Sequence, residues 1–106
     1  MTLPASQPRL KDRLVASQEV VIVNRQGLHA RPATQFVEAA NRFVSRVTVF
    51  KDQTRVNGKS VMEMMLLDAE QGTTLRLDAE GEDAEECLMA LAEVVKHFDE
   101  NAATKR

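Results

Sequence analysis

Apolar residues recur along this chain with two different periods. Between Glu19 and Asn24 the run Val20-Val21-Ile22-Val23 is β-branched throughout and predicts a buried strand. From Ala33 the spacing changes. Ala33, Phe36, Val37, Ala40 and Val44 stand three or four apart, with Gln35, Glu38, Asn41 and Arg42 on the other face, which predicts an amphipathic helix. Arg46 to Phe50 reads as a strand, Lys51-Asp52-Gln53 as a turn, Thr54 to Val56 as a short strand and Asn57-Gly58 as a second turn. Ser60 to about Leu67 predicts a short helix. Thr73 to Ala79 alternates, with Leu75, Leu77 and Ala79 on one face and Thr74, Arg76 and Asp78 on the other. Glu82 to Phe98 returns to helical spacing, with Ala84, Leu88, Leu91, Val95 and Phe98 as its apolar stripe.

The order β-α-β-β-α-β-α predicts an α+β two-layer sandwich, three helices covering one face of a four-stranded sheet. Strands one and two, joined through a helix, are expected to run parallel with strand four antiparallel between them. Residues 1–16 carry Pro4, Pro8 and scattered charges with little periodicity. They are expected to form a flexible or loosely docked extension, with a short helical turn around Leu10, Leu14 and Val15. Residues 17–99 then form one domain and 100–106 a C-terminal tail.

The candidate chemistry lies in Gly27-Leu28-His29-Ala30-Arg31-Pro32-Ala33. Pro32 fits the first turn of a helix, where no N–H is needed, so the helix is expected to begin near Ala30 or Arg31 with His29 at its cap. Unpaired N–H groups and the helix dipole favour an anion there. The same field disfavours a positive imidazolium, and a neutral ring has a nucleophilic lone pair. Arg31 would meet phosphoryl oxygens with a planar fork of donors. His29 is thus placed to carry a phosphoryl group, with a simple polar cap as the alternative.

Composition narrows the classes. The chain has 106 residues with 14 Lys and Arg against 16 Asp and Glu, a net charge of −2 that argues against nucleic-acid binding. No apolar run approaches a membrane span, and no secretory h-region is present. Cys87 is the only cysteine, reads as a small buried hydrophobe on the last helix, and suits a reducing compartment. His97, near the end of that helix, reads as a surface residue favoured by the C-terminal dipole. The two histidines, one cysteine and scattered acids form no metal pattern. Gly58-Lys59-Ser60 looks like the end of a P-loop, but Gln53 stands where the first glycine belongs, so nucleotide binding is rejected. Ser60 and Glu63 instead form an S-x-x-E capping box. Val61, Met62, Met64, Met65, Leu66 and Leu67 are more apolar residues than so short a helix can hide, and either pack singly or form a docking patch.

Gly27 to Ala33, together with Asn57-Gly58-Lys59-Ser60-Val61-Met62, resembles the HPr family, the histidine-containing phosphocarriers of the bacterial phosphotransferase system. The resemblance covers roughly residues 17 to 99; the N-terminal extension departs from it. It implies an open-faced sandwich with an antiparallel sheet in the order 1-4-2-3. It implies that His29 takes a phosphoryl group from enzyme I, charged by phosphoenolpyruvate, and passes it to an enzyme IIA domain in sugar transport, with Arg31 facing the phosphate. Such a protein is a cytoplasmic, monomeric carrier rather than a turnover enzyme and needs no cofactor. Leu28, Val61, Met62 and Met65 would contact partners. Ser60 would be a regulatory site for a serine kinase, although the Glu63 carboxylate would repel a phosphate there. Two alternatives stand beside sugar transport. One is the nitrogen-related regulatory branch, which Leu67-Asp68 resembles, whereas Lys59-Ser60-Val61-Met62 leans to the sugar carriers. The other is an HPr-like binding domain that is never phosphorylated.

Overall fold

A computed structural model describes residues 15–98. The elements follow the predicted order: β1 (Val15–Val21), α1 (Ala30–Ala40), β2 (Arg46–Lys51), β3 (Thr54–Asn57), α2 (Val61–Met65), β4 (Thr74–Glu80) and α3 (Ala84–Lys96). The sheet order is β1-β4-β2-β3 with every pair antiparallel. β1 and β2 both pair antiparallel with β4, so they run parallel to each other with β4 between them.

Strand alternation decides which side is buried. Val20 faces Leu75, Val49 faces both Leu77 and Val56, and Val47 faces Ala79 across the ladders. These residues form one core with Phe36, Ala40, Met64, Cys87, Leu91 and Val95 from the helices. The opposite sheet face is left open by the described residues. There Arg76 lies 4.1 Å above the Phe50 ring and pairs with Asp78, which also accepts from Ser17.

Four sequence expectations shift. β1 starts at Val15 rather than Glu19, so Val15 and Ala16 belong to a strand and not to an extension or helical turn. Leu10, Leu14 and the 100–106 tail lie outside the described residues. The run Val20 to Val23 is not buried throughout: Val20 and Ile22 are, but Val21 and Val23 are exposed, because no described residue covers the second sheet face. Val44 leaves the predicted stripe. α1 stops at Ala40, and the Val44 N–H is taken by the Asp83 carboxylate, leaving the side chain 78% exposed. The second helix closes at Met65 instead of Leu67. Its last turn tightens through Leu66 N–H to Glu63 O and Leu67 N–H to Met64 O, before Asp68 takes a φ of 50°.

A second polar knot joins the ends of the layers. Asp83 accepts from the N–H groups of Val44 and Ser45, each at 3.0 Å, and from the Ser45 hydroxyl. That hydroxyl bond, helped by the two backbone donors, holds the Asp83 carboxyl below its ordinary range against an opposing effect of burial. Gly81 is needed here: it has a φ of 153°, and a Cβ would meet Ser45.

Candidate functional site

The site is built on the chain between β1 and α1. The Gly27 N–H donates to Asn24 O at 3.1 Å, and the Asn24 side-chain amide donates to Gly27 O, closing a turn from both sides. Gly27 has a φ of 75°, and a Cβ would lie 2.5 Å from the Ala69 carbonyl oxygen. Leu28 then donates its N–H to that oxygen at 2.8 Å. The loop leaving α2 therefore supports the turn from beneath.

His29 follows in extended conformation, φ −109° and ψ −166°, as the N-cap of α1. Its carbonyl accepts the Ala33 N–H at 2.9 Å, which starts the helix. Its ring makes no capping hydrogen bond, so it does not close the helix end. The N–H groups of Ala30 and Arg31 sit in the open first turn, where no earlier helical carbonyl can take them. Pro32 has no N–H and is buried. Half-exposed His29 and exposed Arg31 thus share a helix end that offers donors and positive potential to an anion. The helix-cap expectation for His29 is met.

The predicted docking residues separate. Leu28 is 7% exposed and lies in the core, where it anchors the turn. Val61 is partly buried against the core. Met62 is 78% and Met65 41% exposed, joined by Leu66 at 69%, while Met64 and Leu67 are buried. The apolar excess from Val61 to Leu67 is therefore divided: Met64 and Leu67 point inward, Val61 is partly buried, and Met62, Met65 and Leu66 point outward. Leu66 was visible in the sequence only as one of six candidates.

Ser60 is the N-cap of α2, its hydroxyl accepting the Glu63 N–H at 3.1 Å. The other half of the capping box does not form. Glu63 reaches past Ser60 to accept the Asn57 N–H at 2.8 Å, and the Ser60 N–H goes to Asn57 O. Lys59 is held by Phe43 O through its ammonium group and by Asn57 through its N–H, so it serves the loop rather than a nucleotide.

His97 ends α3 and contacts Glu93 at 3.1 Å, as expected of a surface residue at a helix C-terminus. Cys87 is fully buried, and burial pushes its thiol pKa up. Among the described residues there is no cluster of metal-ligating side chains and no helix long and apolar enough to cross a membrane. Sequence reasoning missed Asn24 and Ala69. An asparagine three residues before a glycine is a turn signature and would have exposed the first; the second is a backbone contact without a sequence signal.

Known proteins share this layout. A family profile described as the PTS HPr component phosphorylation site, PTS-HPr, matches residues 16–97. The phosphocarrier protein HPr of Neisseria meningitidis is 41% identical over 81 residues, 76% of this chain and 91% of the relative. The HPr-like protein Crh of Bacillus subtilis is 45% identical over 82 residues, 77% and 96% of the two chains. Among solved structures, HPr-C-His of Thermoanaerobacter tengcongensis superposes with a TM-score of 0.76 at 42% identity, covering 79% of this chain and 94% of the other. The crystal structure of Bacillus subtilis Crh, a swapped dimer, gives 0.64 at 46% identity, covering 76% and 92%.

Proposed function

The chain belongs to the HPr family of the phosphotransferase system, and from that premise we propose that it is a cytoplasmic phosphocarrier with a covalent intermediate on His29. One observation carries the reading. His29 is the N-cap of α1, makes no capping bond with its ring, and stands beside an open helix end and Arg31. A neutral imidazole nitrogen would attack the phosphorus of phosphorylated enzyme I, and the enzyme I side chain that held the phosphoryl group would leave with the electron pair of the broken bond. The new P–N bond would place three oxygens near the Ala30 and Arg31 N–H groups and the Arg31 guanidinium. Reversal onto an enzyme IIA domain completes the transfer, so the protein carries rather than turns over. Leu28 holds the turn, and the outward side of α2 receives both partners. The protein would act as a monomer without a cofactor, in sugar uptake. The nitrogen-regulatory branch remains the second assignment, favoured by Leu67-Asp68, whose backbone closes α2. A binding domain that is never phosphorylated would need no nucleophile at this helix end.

Labelled phosphoenolpyruvate with enzyme I of each branch tests this. The label is expected on His29, acid-labile and alkali-stable, lost in His29→Ala and kept in His97→Ala. Labelling that survives in His29→Ala would falsify the assignment. The branch whose enzyme I labels faster identifies the pathway, and sedimentation of the labelled protein reads its oligomeric state.

A further inference from the structure

Asn24 lies in neither sequence motif, yet its side chain is wired to the histidine. It is 4% exposed, and its Nδ2 donates to the Gly27 carbonyl. The same carbonyl accepts the His29 N–H at 3.1 Å. One oxygen therefore joins a buried amide to the backbone of the reacting residue.

The orientation of the amide is fixed by this oxygen, because two carbonyl oxygens cannot face each other and only the amide nitrogen is a donor. The cost falls on the other end. Asn24 Oδ1 is buried and has no hydrogen-bond partner among the described residues. Most buried polar atoms are paired, and an unpaired one is costly. An apolar residue would avoid that cost, and so would a smaller hydroxyl. What the amide uniquely supplies here is a donor of the right reach to Gly27 O.

We propose that Asn24 is a positioning residue for phosphoryl transfer: by holding the Gly27 carbonyl it fixes the extended backbone of His29, and with it the direction of the ring. This rests on His29 being the phosphoryl acceptor. Backbone φ and ψ select the side-chain rotamers open to a residue, so a loosened His29 samples directions away from the open helix end. Transfer needs the ring nitrogen in line with phosphorus, and freedom there slows the step without altering docking, since the proposed docking residues Met62 and Met65 lie on α2, outside this turn.

Asn24→Asp keeps the shape but replaces the donor with an acceptor; Asn24→Ala removes both. With phosphorylated enzyme I as donor, either variant is expected to lower kcat about three- to tenfold with KM changed less than about twofold. The His29 amide and ring resonances should move, while those of Ser45 and Asp83 stay in place. A folded variant with wild-type kcat and unmoved His29 ring signals overturns the proposal, as does a loss carried by KM alone. Should neither variant fold, the wild-type protein decides: a through-hydrogen-bond coupling between the Asn24 amide and the Gly27 carbonyl supports it, and its absence overturns it. If wild-type His29 takes no label from either enzyme I, the phosphocarrier reading fails by itself, and positioning for transfer falls with it.

Discussion

The Leu28 N–H donates to the Ala69 carbonyl at 2.8 Å, so the loop that leaves α2 forms the floor under the turn that presents His29. Lys51 fastens that loop from the sheet, its ammonium donating to Leu67 O at 3.0 Å and Asp68 O at 3.1 Å. α2 and the histidine turn are therefore parts of one assembly.

Gly27→Ala should disrupt this floor. A left-handed φ costs an L residue about 1–2 kcal/mol, and the new Cβ would also press on the Ala69 carbonyl, a backbone atom with little room to yield. The urea midpoint is expected to fall by more than the φ cost alone implies, and phosphorylation of His29 to slow. A variant as stable as wild type would mean that the turn relaxes freely.

Met62→Glu separates docking from chemistry. Its side chain is 78% exposed, so folding stability should hardly change. A charge within an apolar contact should weaken binding to both partners by about 1–2 kcal/mol, roughly five- to thirtyfold in Kd. Titration followed by NMR should show shifts at Val61, Met62, Met65 and Leu66. Shifts confined to α3 would move the docking surface elsewhere.

How much of this was legible in the sequence depended on the range of the interaction. The His29 cap followed from Pro32 and the apolar spacing after it, both local. Alternation at Leu75, Leu77 and Ala79 marks β4 as a strand with one buried face, the β-α-β-β-α-β-α order places it between β1 and β2, and the full order 1-4-2-3 is what the family resemblance implies. Val44 failed because spacing continues a helix that Asp83, 39 residues away, ends by taking the Val44 N–H. The burial of Leu28 has a related cause: the Ala69 loop packs beneath its turn, a long-range contact without a sequence signal. The Asn24-to-Gly27 spacing carried a turn signal that went unread, while the side-chain bond itself goes to a backbone carbonyl, which has no letter in the sequence.

Ser60 offers a paired test. Ser60→Ala removes the acceptor for the Glu63 N–H and should cost about 1 kcal/mol, whereas Ser60→Asp should cap α2 nearly as well. If a serine kinase regulates the protein through this residue, Ser60→Asp should also bind enzyme I more weakly at unchanged stability. Equal binding by Ser60→Asp and wild type would leave Ser60 as a cap alone.

Arg31→Lys keeps the charge but loses the fork of donors. One lost charge-assisted hydrogen bond is worth roughly 1.5–3 kcal/mol, or about ten- to a hundredfold in transfer rate when it is felt in the transition state. The exposed side chain should leave thermal stability unchanged. Transfer at the wild-type rate to both partners would remove Arg31 from the site.

Acid should unfold the protein partly through Asp83. Its carboxyl is held below the ordinary value of 3.8 by the Ser45 hydroxyl first and by the Val44 and Ser45 N–H groups, so its folded pKa lies below its unfolded one. The unfolded chain then binds the proton more readily, and the stability Asp83 contributes is fully present above its unfolded pKa and lost as pH falls through the folded pKa. Asp83→Asn cannot accept all three bonds as a carboxylate does and should melt lower at pH 6. The gap to wild type should narrow as pH drops below about 4, because protonation deprives the wild-type carboxyl of the same charge. Melting curves for both proteins between pH 6 and pH 2.5 measure the difference. A gap that stays constant across that range would mean the Ser45–Asp83 knot contributes through packing and not through the charge of its carboxylate.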